Sequence, residues 1–180
     1  MTTDPTVVDH DLSRLAPNFA AGLLAAIAEC GQTSFTYRGS VLAPSLDVTV
    51  FEGYRSGARQ TWLYAQGRTR PGPIVTNAKT NLTSWHGYAL AADVVHRTKF
   101  WEPFGSDKIA ANRQKNEAWF AAVAAVFKKH GCNWGGDWTK PDTPHMQWRG
   151  CTASPSQGAI DLVRTQGIHA VWEKLGASGP

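Results

Sequence analysis

Apolar residues recur at helical spacing from Pro17 to Cys30, where Phe19, Leu23, Ile27 and Cys30 form one stripe. Pro17 suits a first-turn position and Gly31 follows the last apolar residue, so the pattern predicts a helix over 17–30. Ser34 to Leu42 reads as strand and turn. The period then drops to two. Leu46, Val48 and Val50 face one way and Asp47, Thr49 and Phe51 the other, which predicts a half-buried strand ending near Arg55. Ser56 can cap a short helix running through Gln60, Leu63 and Tyr64 to Gly67. Arg68 to Thr83, with Pro71, Gly72, Pro73, Asn77 and Asn81, is loop.

Ala91 to His96 reads as a strand, and Ser106 to His130 as the longest helix. Trp119, Phe120, Val123 and Phe127 form that helix's apolar face, and Lys128, Lys129 and His130 complement the negative end of its dipole. Asn133 to Thr143 is rich in Gly, Asp and Pro and predicts a loop, followed by a short strand at His145–Trp148. Ser154-Pro155-Ser156-Gln157 has the form of a capping box opening a helix to Gly167. Ile168 to Leu175 is a last helical piece and 177–180 a frayed end. The expected architecture is α+β, a small, mostly antiparallel sheet with packed helices. No repeat or linker divides the chain, so the expectation is one domain over 1–180, with a core at about 15–150 and C-terminal helices at 154–176.

Composition narrows the function classes. With 180 residues, 42% of them apolar and only 18% charged, the chain can bury a substantial core and does not read as disordered. Its eight Trp can line a groove as well as a core. The net charge of +4 favours an anionic partner, but no basic run tracks phosphates, which argues against nucleic acid. Cys30, Cys132 and Cys151 are odd in number and widely spaced, so buried free thiols are expected, with a Cys132–Cys151 pair as the alternative. Phe19–Ala28 is too short an apolar run to insert into a membrane, and Met1–Arg14 lacks the basic region of a signal peptide. Synthesis in a cytosol, with release by some other agent if the protein acts outside, is the expectation.

Candidate chemistry lies in two distant stretches, Ser84-Trp85-His86-Gly87-Tyr88-Ala89-Leu90-Ala91-Ala92-Asp93 and Asp142-Thr143-Pro144-His145-Met146-Gln147-Trp148. Together they offer two imidazoles and two carboxylates. Two His and one carboxylate suit a catalytic zinc ion with a fourth position left for water, and a second carboxylate beside that water would be its base. Gly87 and the extended run after it oppose a helix between His86 and Asp93, so a loop must carry His86 back over the start of the strand. Pro144 opposes a helix between Asp142 and His145, leaving a tight turn to aim both at one point. His145 and Gln147 then face the site while Met146 and Trp148 enter the core.

The pattern S-x-H-x-x-G-x-A-x-D, followed later by an acid-x-x-H and an aromatic, resembles the zinc D,D-peptidase family of cell-wall enzymes. Glu52-Gly53-Tyr54-Arg55-Ser56 with Gln60 and Leu63-Tyr64, and Trp134-Gly135-Gly136-Asp137-Trp138, extend the likeness from about Leu15 to Trp148. Within the family the chain is most similar to the L-alanyl-D-glutamate endopeptidases used as phage endolysins. The resemblance implies the Hedgehog-like fold of that family and one Zn2+ held by His86, Asp93 and His145. It further implies Asp142 as general base, Arg55 orienting substrate or stabilising the oxyanion, and Ser84 and Gln60 contacting substrate. Bacterial peptidoglycan is the implied partner, acted on by a monomer and hydrolysed at the L-Ala–D-Glu bond. The alternatives on this scaffold are a D,D-carboxypeptidase, a D-Ala-D-Ala dipeptidase and a non-catalytic zinc-containing binding domain. One departure stands out: the family Gly is Ala89 here, costly if the backbone needs a positive φ. Asp137 is a further candidate for a residue supporting the ligands.

Overall fold

The computed structural model describes residues 4–179. The first apolar stripe forms α1 (Pro17–Cys30), burying Phe19, Leu23, Ala26 and Cys30. A hairpin of β1 (Phe35–Tyr37) and β2 (Ser40–Ala43) follows. Next comes β3 (Val48–Glu52), then α2 (Gly57–Ala65), whose cap Ser56 accepts the Arg59 amide. The chain continues through β4 (Ala91–His96), α3 (Ala110–Lys129), β5 (Cys132–Trp134), β6 (His145–Trp148), α4 (Gln157–Gln166) and α5 (Ile168–Lys174). Four strands form one antiparallel sheet in the order β3-β4-β6-β5. α1 and α3 pack on each other and on this sheet, enclosing a core of Phe19, Leu23, Val50, Val94, Trp119, Val123, Phe127 and Met146. The architecture is α+β, as expected.

Four local expectations need correction. Cys132–Trp134 is a strand because β6 pairs with it, placing Cys132 opposite Trp148; its Gly- and Asp-rich continuation hides that pairing. The cap of α4 is Ser156, which accepts the Ala159 amide, and not Ser154. α3 starts at Ala110 because Asn116 reaches back to the preceding segment, accepting the Phe104 amide and donating to Gly105 O and Asp107 Oδ1. The expected frayed end is docked through residue 179: Ala177 is fully buried, its amide donates to Trp172 O, and its carbonyl accepts the Asn18 amide. Pro180 lies outside the described residues.

One irregularity in the sheet positions the site. Val48 and Val50 point into the core, and strict alternation would send Glu52 the same way. Between Val50 and Glu52 the register slips, so that Val50 pairs with Val94 but Glu52 pairs with Asp93. The extra residue is Phe51, and this bulge turns Glu52 to the opposite face. On β6, His145 pairs with the same Asp93. Glu52, Asp93 and His145 therefore lie in one row across three strands, on the face away from α1 and α3.

Candidate metal centre and cleft

His86 joins the row from outside the sheet. Trp85–Tyr88 form one 3-10 turn, where the sequence pattern had predicted a non-helical loop. Ala89 then takes a left-handed conformation, φ 58° and ψ 30°, and the chain enters β4. The turn is pinned from three directions: the Arg55 amide donates to His86 O, the Ala16 amide to Ala89 O, and the Trp148 amide to Leu90 O. Gly87 is required because a β-carbon there would strike the Asn81 carbonyl.

The geometry defines both imidazole tautomers. His86 Nδ1 donates to Gly53 O at 2.8 Å, which leaves the Nε2 lone pair free. His145 Nε2 donates to Gln147 Oε1 at 3.2 Å, leaving Nδ1 free. Gln147 is itself oriented, because its amide nitrogen donates to the carbonyls of Cys151 and Thr152. The two free nitrogens are 3.3 Å apart. Asp93 Oδ1 lies 3.4 Å from His86 Nε2 and 3.6 Å from His145 Nδ1.

Two nitrogen lone pairs and a carboxylate oxygen converging this closely repel one another unless a cation sits between them. A tetrahedral ion with bonds of about 2.0–2.1 Å needs ligand atoms about 3.3–3.4 Å apart, close to the 3.3–3.6 Å found. The donor set fits a small divalent metal. Burial and the Arg55 charge lower the His86 pKa, keeping that imidazole neutral as a ligand must be. Burial opposes ionisation of Asp93, and the Arg55 charge, donating to Oδ2, favours the carboxylate.

Arg55 acts behind Asp93. Its Nη2 donates to Asp93 Oδ2 at 3.1 Å, leaving Oδ1 for the centre, while Nε and Nη2 both donate to Glu52 Oε2 at 2.9 and 2.6 Å. Glu52 Oε1 accepts Arg59 Nε at 2.7 Å. The sequence motif includes Glu52 without giving it a role, and Arg59 lies outside the motif. The buried acid within the Glu52–Arg55 motif was the available signal, but its direction depends on the bulge. Gln60, implied by the resemblance as a substrate contact, is fully buried: its amide nitrogen donates to Ala78 O at 2.6 Å and its oxygen faces Arg55, so here it buttresses the arginine. Asp137 is also displaced from the expected role, its carboxylate pairing at the surface with Lys128 at 2.6 Å.

The centre opens into a cleft of about 1220 Å³, lined by Ser84, Trp62, Trp138, Asp142 and Lys140 among others. Asp142 and His145 are joined by a tight turn in which the His145 amide donates to Asp142 O and the Asp142 amide to Gly135 O. Gly135 has no room for a side chain: a β-carbon would lie 2.6 Å from Asp142 O and 3.0 Å from His145 Cβ. The surrounding protein and the Asp93 charge raise the Asp142 pKa above its ordinary value, which strengthens it as a base. Trp138 packs its ring 5.1 Å from that of His145. Ser84 reaches the cleft wall. Lys79 and Lys140 line the cleft, and neither forms an ion pair among the described residues.

Residues 77–148 match the family model described as D-alanyl-D-alanine carboxypeptidase. The peptidoglycan L-alanyl-D-glutamate endopeptidase CwlK of Bacillus subtilis (strain 168) is 33% identical over 117 residues, 64% of this chain and 69% of that protein. The crystal structure of the Serratia marcescens L-Ala D-Glu endopeptidase ChiX matches 81% of this chain and 88% of its own, at 20% identity and a TM-score of 0.49.

Proposed function

Because the chain belongs to this family of cell-wall peptidases, we propose that it is a zinc-dependent endopeptidase hydrolysing the L-Ala–D-Glu bond of the peptidoglycan stem peptide. The observation that carries the reading is the triangle of His86 Nε2, His145 Nδ1 and Asp93 Oδ1, with edges of 3.3–3.6 Å and both tautomers oriented by buried acceptors. Two imidazoles and one carboxylate in a small tetrahedral frame favour zinc over the harder, oxygen-seeking cations. The likeness to CwlK supports the choice of bond.

Zinc, when bound, supplies a Lewis acid that polarises the scissile carbonyl and acidifies water. His86, Asp93 and His145 would hold it at the floor of the cleft. Asp142, at the cleft wall with a raised pKa, takes the proton of the attacking water and returns it to the departing amine of D-Glu. Arg55 positions the ligand carboxylate of Asp93, since most of its donors are committed to Glu52 and Asp93. Ser84 faces substrate from the wall. Lys79 and Lys140 suit the carboxylates of the stem peptide. A bacteriolytic role of the endolysin type, exerted by a monomer on the wall after synthesis in a cytosol, completes the reading. Among the described residues no helix is long and apolar enough to cross a membrane.

Digestion of purified peptidoglycan, read by mass spectrometry, tests this. The expected products are glycan-linked L-Ala with a free carboxyl and peptides beginning at D-Glu. A chelator abolishes their formation, Zn2+ restores it, and Asp142→Asn fails to make them while still binding metal. Release of free D-Ala in their place would make the protein a D,D-carboxypeptidase.

A further inference from the structure

Beside the cleft stands an aromatic ridge that the hydrolytic centre does not use. The Phe100 and Trp101 rings stack at 5.9 Å with 22° between their planes, and Phe51 meets Trp101 edge-on at 4.6 Å. Phe51 and Trp101 line the cleft itself, and Phe51 and Phe100 line an adjoining recess of about 410 Å³. The ridge is thus continuous with the cleft. Phe100 and Trp101 remain 45% and 43% exposed, so neither ring gains the burial that normally repays an aromatic side chain.

Phe100 has φ 53°, a region that bulky residues avoid. It closes a tight turn in which His96 and Phe100 exchange both backbone hydrogen bonds, and glycine would make that turn at lower cost. The chain keeps a strained aromatic here and gives it to solvent. A strained aromatic that packs against Phe51 and Trp101 of the same ridge yet stays half exposed points to a surface shaped for a ligand.

We propose that the Phe51–Phe100–Trp101 ridge binds the amino-sugar glycan strand of peptidoglycan. The proposal rests on the reading of the cleft as an L-Ala–D-Glu endopeptidase site. In that substrate L-Ala is attached to the glycan strand, so sugar rings lie within one residue of the scissile bond and must leave the cleft past its rim. Pyranose rings present C–H faces that stack on aromatic planes, and the ridge itself carries no charge.

Retention on peptide-free glycan strands tests the ridge without reference to catalysis. The wild-type protein is expected to bind them, and Phe100→Gly and Trp101→Ala to lose that binding. Phe100→Gly relieves the strained φ, so an undiminished melting temperature shows that the loss is not misfolding. In turnover, kcat/KM for a muramyl-linked stem peptide relative to a sugar-free one is expected to fall about tenfold in each variant, the scale of one lost aromatic contact. Equal retention of glycan by wild type and variants would overturn the proposal. So would binding by wild type of anionic phospholipid vesicles but not of glycan. A protein that cuts neither peptide yet binds glycan through these residues would refute the endopeptidase reading and leave the ridge standing.

Discussion

Ala89 holds a left-handed backbone between the turn carrying His86 and the strand carrying Asp93, where the family pattern has glycine. A side chain in this region costs about 1 kcal/mol, against the smaller loss of one buried methyl. Ala89→Gly should therefore raise stability by about 0.5 kcal/mol, read as a higher midpoint in urea, with hydrolysis retained; a lower midpoint would mean the methyl's packing outweighs the strain. Gln147 does its work at second hand. Its oxygen holds the proton of His145 Nε2 and so directs Nδ1 inward. Gln147→Met keeps the volume but removes the acceptor, and metal affinity is expected to drop about tenfold to a hundredfold in competition with a chromophoric chelator. These residue types could be read from the motif; that the tautomers are set by Gly53 O and Gln147 could not, because the partners are 33 residues away in one case and depend on strand alternation in the other.

Among the elements, β3 and α2 are locked together by Glu52, buried between Arg55 and Arg59. Neutralising it would leave two buried guanidiniums without their shared anion. Glu52→Gln is expected to cost about 3 kcal/mol of unfolding free energy in guanidinium, and to weaken metal binding as Arg55 loses its seat behind Asp93. The helices and strands that position the site were legible from periodicity: α1 and β4 begin and end where the pattern predicts, and β6 likewise. The bulge at Phe51 was not. A run of alternating residues gives no local sign that one of them will be unpaired, since the slip arises only when β4 is brought alongside. β5 was hidden for the same reason, its pairing with β6 lying outside its own sequence.

The molecule as a whole buries its three thiols singly. Cys30, Cys132 and Cys151 are all free and buried, and burial pushes Cys30 and Cys132 up to about 12 and Cys151 higher still. Such thiols react only when the fold opens. A disulfide reagent at neutral pH should label none of them within minutes in the folded protein and all three in denaturant, and rapid labelling of one would expose a local opening near that cysteine. Residue chemistry and local periodicity were enough to establish the donor types, the α+β class and the elements that carry the donors, because each rests on neighbours within a turn or a strand. Convergence was another matter. That His86, Asp93 and His145 meet at one point, that Glu52 faces them, that Gln60 is buried behind Arg55 and that Asp137 turns away to Lys128 all depend on which strand lies beside which. A one-residue slip in that pairing sends every side chain to the other face, so the site comes into being only with the assembled sheet.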